Sequence, residues 1–182
     1  MTIKICTTNT NKIREFGRIL GFSPEPVDLV LEEIQTLNTE EVCRKKAAAA
    51  FAEIRQPVLV DDTGFELASL GGFPGALVTW AINAGTTKIL HRMLPADSDK
   101  NATIITAIGY ATAAGVFVFS GRLEGLVIAT PRGRNGFGFD DIFVPAGETR
   151  TLAEMSDAEK DAVSPRSVAL QSLATFIGRE GR

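Results

Sequence analysis

Histidine, tryptophan and tyrosine occur once each in these 182 residues, and cysteine twice. The lone His91 falls within a helical pattern and is read as structural rather than catalytic. Cys6 and Cys43 show neither metal-ligand spacing nor a disulfide framework. Positive charge is also in short supply, with 19 Lys and Arg against 22 Asp and Glu and a net charge of −3. A general polyanion binder would need a basic face or stripe, so no nucleic-acid partner is expected and any phosphate site must be local. No run reaches 18 apolar residues, and the opening Met1-Thr2-Ile3-Lys4-Ile5 lacks the apolar stretch of a signal peptide. No membrane partner and a cytoplasmic location follow as expectations.

What is present suits one globular unit. A chain of 182 residues can bury about 70% of the surface its unfolded form would expose, so a single domain over residues 1–182 is expected. Ile3 and Ile5 open a strand, and Ile13, Phe16, Ile19 and Leu20 recur at helical spacing until Gly21. A second strand is read near 27–31, and Asn38 or Thr39 caps a helix that runs through the alanines of 47–50 to about Ile54. Residues 58–60 and 65–70 read as two strands and 80–94 as one helix. Then 103–111, 116–120 and 123–129 read as consecutive antiparallel strands, 142–144 as a further strand, and a last helix starts at Ser164-Pro165. Strands alternating with helices, followed by antiparallel strands, imply an α/β fold with a mixed sheet.

Two segments carry chemistry. Phe137-Gly138-Phe139-Asp140 through Lys160 and Ser164-Pro165-Arg166 places aromatic faces, a carboxylate and two cations within about thirty residues, which are parts for holding a nucleotide. Near the start, Cys6-Thr7-Thr8-Asn9-Thr10-Asn11-Lys12 leads from an apolar strand into a helix. Small polar residues there mark a tight turn, free N–H groups at the helix start favour anions, and Lys12 adds a charge one turn away. Asp61 and Asp62 follow the apolar run 58–60, at the strand end where ligand crevices form in open α/β sheets. Adjacent strand residues face opposite ways, so one of the two is expected to reach a metal. A nucleotide's phosphates need their negative charges neutralised, and a hard cation held by one to three carboxylates and the phosphates does this. Glu15, Glu33, Asp61 and Asp62 are the candidate carboxylates.

Thr7-x-Asn9-x-x-Lys12, Asp61-Asp62-Thr63-Gly64, Gly71-Gly72-Phe73-Pro74-Gly75, Phe137-Gly138-Phe139-Asp140 and Glu159-Lys160 with Ser164-Pro165-Arg166 stand in an order and spacing that resembles the inosine triphosphate pyrophosphatase family. The resemblance spans roughly residues 3–175. It implies an elongated mixed sheet with two lobes around one cleft, a homodimer, and release of pyrophosphate from ITP, dITP and XTP in nucleotide-pool sanitation. It further implies Mg²⁺, or Mn²⁺ in its place, on Glu33 and Asp62, with Glu32 as an adjacent alternative to Glu33. Asp62, Lys12 and Lys46 would be catalytic. Thr7, Thr8, Asn9, Lys12, Lys46 and Lys160 would hold phosphates, and Phe137, Phe139, Asp140, Ser164 and Arg166 the base and sugar. Asp61 and Glu15 would stand behind these. Three departures from the family's pattern matter: Thr79 replaces a lysine found in some relatives, Asp141 replaces a proline, and Pro165 replaces a histidine that reads the base. Proline donates no hydrogen bond, so looser base selection is expected. The alternatives are a pyrophosphatase for other modified or pyrimidine triphosphates, and a nucleotide-binding sensor with little turnover.

Overall fold

A computed structural model describes residues 3–7 and 9–180. Thr8 therefore lies outside the described residues. The elements along the chain are β1 (Lys4–Cys6), α1 (Thr10–Leu20), β2 (Glu25–Val27), α2 (Thr39–Ile54), β3 (Val58–Leu67), β4 (Pro74–Gly75), α3 (Val78–Gly85), α4 (Lys88–Arg92), β5 (Asn101–Thr112), β6 (Gly115–Val127), β7 (Phe143–Pro145), α5 (Asp157–Val163) and α6 (Pro165–Glu180). One mixed sheet has the order β2-β1-β3-β5-β6-β7, with β4 also paired to β3. β1 pairs in parallel with both β2 and β3, and every later pairing is antiparallel. This is the expected single-domain α/β fold.

Pleating sends alternate residues of β3 to opposite sides. Leu59 packs with Ile5, Phe16, Ile108, Leu170 and Leu173, under α1 and α6. Val58 and Val60 pack with Cys43, Ala47, Ala50, Ala107 and Ala111, under α2. Past the end of β1, the second half of β3 supplies Phe65 and Leu67 to a separate cluster with Val78, Leu90, Ile104, Ile142 and Phe143. The sheet thus runs through two lobes. The three-residue β1 stops where the ten-residue β3 continues, and this step leaves a crevice between them.

Several expected boundaries are corrected. Residues 58–60 and 65–70 are one strand, because β5 pairs with β3 without a break from Val58 to Leu67 and carries Asp61-Asp62-Thr63-Gly64 along with it. Asp61 and Asp62 therefore lie mid-strand rather than at a strand end. Likewise 116–120 and 123–129 are one strand, β6, since Gly121 remains in register opposite Thr106. The helix expected over 80–94 is two, separated at Thr86, whose φ is 64°. The strand read near 27–31 ends at Val27, and Asn38 rather than Thr39 caps α2, accepting from the Glu41 N–H at 3.0 Å.

α2 lies close on the sheet because its inner face is alanine and because Gly109 of β5 sits below it. A Cβ at Gly109 would come within 2.8 Å of Ala47 Cβ, 2.9 Å of Val60 Cγ2 and 3.1 Å of the Cys43 carbonyl. Gly109→Ala is therefore expected to push α2 outward and cost about 1–3 kcal/mol in urea unfolding. A variant as stable as the parent would show that α2 does not depend on this close approach.

Candidate active site

The crevice at the end of β1 is organised by local capping. Asn9 Oδ1 accepts from the backbone N–H groups of Asn11 (3.0 Å) and Lys12 (3.3 Å), fixing the start of α1. α1 then presents Lys12 and Glu15, three residues apart, to the interior. A cavity of about 280 Å³ opens here, with Asn9, Lys12 and Asp62 at one end and Ile104, Phe139 and Leu152 at the other. Asp62 and Arg166 both line it, as do Phe137, Asp140, Lys160 and Ser164. The first-third carboxylate and the last-third guanidinium thus share one cleft.

Below the cavity, on the α1 and α6 side of the sheet, six charged groups meet. Arg166 donates through Nε to Asp61 Oδ2 at 3.0 Å and through Nη2 to Thr63 Oγ1 at 3.2 Å, and pairs through Nη1 with Glu15 Oε2. Lys160 lies 3.1 Å from Glu15 Oε1 and 2.7 Å from Asp140 Oδ2. Lys12 pairs with Asp61 Oδ1. Glu15, Asp61, Asp140, Lys160 and Arg166 are all buried. Burial works against ionisation of Asp61, but the charges of Arg166 and Lys12 overcome it and hold the carboxyl well below its usual range. At Asp140 burial prevails over the pull of Lys160, so that carboxyl is raised. Phe137 caps the group, with Lys160 Nζ 4.5 Å and Arg166 Cζ 5.7 Å from its ring centroid.

On the α2 side of β3, Lys46 Nζ stands 2.7 Å from Glu33 Oε1 and 3.4 Å from Asp62 Oδ1. A second cavity of about 320 Å³ adjoins this group, lined by Thr7, Lys12, Glu33, Lys46 and Asp61 among others. Asp62 Oδ2 is buried without a hydrogen-bond partner. Burial pushes the Asp62 carboxyl up to about 6, despite the attraction of Lys46. Burial also opposes the charge on Lys46, yet Asp62 and Glu33 raise its pKa overall. A cation already bridges the two carboxylates assigned to a metal, and the orphaned Oδ2 is a hard oxygen donor. Among the described residues no group of three His, Cys, Asp or Glu converges as a ready-made metal cage. Two carboxylates completed by phosphate oxygens fit Mg²⁺, which uses few protein ligands.

Most of the expected residues are brought together. Asp140, expected to accept from a base or ribose, lines the cavity. Its Oδ2 accepts from the Phe137 N–H at 2.8 Å and from Lys160, because the loop must turn back on itself at Gly136, whose φ is 79°. Asp61, expected behind the site, pairs with both Lys12 and Arg166. Phe139 lines the cavity and also packs edge-on against Phe65 at 4.8 Å. Glu33, not Glu32, has the ion pair to Lys46. Ser164 Oγ accepts from the Arg166 N–H at 3.2 Å, at the start of α6. His91 lies in α4, outside the cavity lining. Residues that no motif pointed to are Thr106, whose hydroxyl is 3.3 Å from that of Thr63, and Val78 and Ile82, which form the α3 wall with Thr79. Glu15 was treated as peripheral, although its i,i+3 placement after Lys12 was the signal that both face one way.

Comparison with known proteins places residues 3–176 in a match to the family model described as the Ham1 family. A dITP/XTP pyrophosphatase of Hyperthermus butylicus is 34% identical over 182 residues, covering 98% of this chain and 96% of that protein. An inosine triphosphate pyrophosphatase of Aspergillus oryzae is 39% identical over 170 residues, covering 91% and 88%. Among solved structures, the Ham1 protein of Staphylococcus aureus superposes with a TM-score of 0.87 at 27% identity, covering 99% of this chain and 100% of that one.

The raised carboxyl of Asp62 has a stability consequence. An acid that ionises less readily folded than unfolded costs stability as pH rises from about 4 through 6. In metal-free buffer, Asp62→Asn should therefore gain on the order of 1–3 kcal/mol over the parent between pH 4 and pH 7.5. Urea unfolding at the two pH values checks this, and a variant that loses ground as pH rises would contradict the assignment.

Proposed function

The chain belongs to the Ham1 family, and from that membership we propose that it hydrolyses ITP, dITP and XTP to the monophosphate and pyrophosphate, clearing deaminated purines from the nucleotide pool. The observation that carries this reading is the shared cavity of Asp62, Lys12, Phe137 and Arg166, with a carboxylate, a cation and the Asn9 turn at one end and an aromatic, apolar pocket at the other.

Each end has a stated task. Phe137 offers a face for the base, and stacking of this kind contributes about 1–3 kcal/mol. Phe139, Ile104 and Leu152 exclude water around it. Ser164 and Arg166 border the polar edge of the base, while Asp140 acts by holding Phe137 and Lys160 in place. Lys12, Lys46 and Lys160, with Thr7, Thr8 and Asn9, neutralise and orient the phosphates. Asp62 is the group that accepts the proton of the attacking water, for which a pKa of about 6 leaves it ionised at neutral pH. Glu33 and Asp62 are the residues that would hold Mg²⁺ or Mn²⁺. Such an ion polarises the phosphates and stabilises charge on the leaving group. Among the described residues no helix is long and apolar enough to cross a membrane. We place the enzyme in the cytoplasm as a homodimer, for which the exposed Phe73 and Trp80, 41% and 69% accessible, are available apolar contacts.

Pro165 borders the pocket and has no hydrogen-bond donor, which favours a broader base range than a side chain with a donor would permit. The decisive measurement is pyrophosphate release from ITP, dITP, XTP, ATP and dUTP with Mg²⁺. Higher kcat/KM for ITP, dITP and XTP than for ATP is expected, as is loss of turnover with a chelator and recovery with Mg²⁺ or Mn²⁺. Asp62→Asn should lower kcat by about 10²–10⁴-fold while ITP still binds. A dUTP preference would transfer the assignment to pyrimidine nucleotides, and ITP binding without turnover by the parent would make the protein a sensor.

A further inference from the structure

α1 presents Lys12, Glu15 and Arg18 at intervals of three residues, one stripe of the helix. The first two enter the buried charge group, and the third reaches α5. Arg18 Nε and Nη2 lie 2.9 and 3.0 Å from the two oxygens of Asp161, the residue after Lys160. Its Nη1 lies 3.5 Å from Asp157 Oδ2. The other oxygen of Asp157 accepts from Asn135 Nδ2 at 3.2 Å, and the same amide donates to the Met155 carbonyl at 2.8 Å. Asn135 precedes Phe137 by two residues, on a segment whose Gly136 and Gly138 have φ values of 79° and 64°.

These three side chains surround a small cavity of about 100 Å³. Phe137 and Lys160 line both this space and the main cavity, so together they form the partition between the two. We infer that Arg18, Asp157 and Asn135 are positioning residues that brace this partition from behind, setting Phe137 against Lys160 before a purine base arrives. The inference rests on the proposed reading that the main cavity takes a nucleotide base.

A phenylalanine between two glycines has no helix or strand to hold it, and a base would otherwise have to order it on binding. The cost of that ordering is felt equally in the bound substrate and in the transition state. It therefore raises KM and leaves kcat unchanged. Asp62, Lys46 and Glu33 pair with one another rather than with Arg18, Asp157 or Asn135, so the proton-accepting carboxylate and the residues that would hold a metal are not part of the brace. Arg18 and Asp157 are both more than a third exposed, and exposed pairs add little to global stability.

The test is steady-state pyrophosphate release from ITP and ATP, with Mg²⁺, by Arg18→Ala, Asp157→Ala and the double variant. Each single change should raise KM for ITP about five- to tenfold with kcat within about twofold, and should narrow the ITP-to-ATP preference. The double variant should be no worse than either single one, and Asp157→Asn, which keeps an oxygen for Asn135, should recover most of the loss. Unchanged KM, a fall in kcat at constant KM, or losses that multiply in the double variant would overturn the inference. If the alanine variants fail to fold, Arg18→Lys decides: it keeps the charge without the fork, and KM equal to that of the parent would count against the brace. Absence of ITP turnover in the parent would overturn the proposed function itself and this inference with it.

Discussion

Burying a charge is tolerable only when an opposite charge touches it, and five of the six ionised groups beneath the cavity are buried. Three cations, Lys12, Lys160 and Arg166, meet three carboxylates, Glu15, Asp61 and Asp140, so the group is neutral by sign. Remove any one member and the group is left with one unbalanced charge. The members come from α1, β3, the segment before β7, α5 and α6. Those elements are therefore committed to one mutual arrangement, which is also the arrangement that shapes the cavity wall. Here the requirement for charge neutrality and the requirement for a preformed pocket are met by the same contacts.

β3 divides the labour. Because neighbouring residues on a strand face opposite sides, Asp61 enters the neutralised group under α1 and α6 while Asp62 turns toward α2 and Lys46. The two adjacent carboxylates end with opposite tendencies, Asp61 held ionised and Asp62 raised toward 6. One has an ion pair at each oxygen, to Lys12 and to Arg166. The other retains an unpartnered oxygen, and only such a group has capacity left for a water or a cation. Sequence adjacency thus produces chemical difference through the pleat alone.

Legibility in the sequence followed the range of the forces involved. Asn9 as a cap, Gly21 as a stop and the alanine face of α2 are local effects, and the structure keeps them. The continuation of β3 through Asp61-Asp62-Thr63-Gly64 was not readable, because polar residues and a glycine suggest a stop, while ten paired positions on β5 override that preference. α5 went unread for a different reason: seven residues give too little periodicity. Its capping box, Ser156 with Glu159, was nevertheless present in the sequence as a start signal. Site residues were named from motifs, but partners were not. That Asp140 serves Phe137 and Lys160, and that Glu15 joins Lys160 to Arg166, depends on contacts between segments far apart in the chain.

That separation has a consequence during biosynthesis. Glu15 precedes its partner Arg166 by 151 residues, and Asp61 precedes it by 105. At roughly 5–20 residues per second, a ribosome exposes Glu15 on the order of ten seconds before Arg166 exists. Until then Glu15 lacks both of its cationic partners, Lys160 and Arg166, and Asp61 has only Lys12. The neutral arrangement that shapes the cavity wall is complete only once α6 has been made.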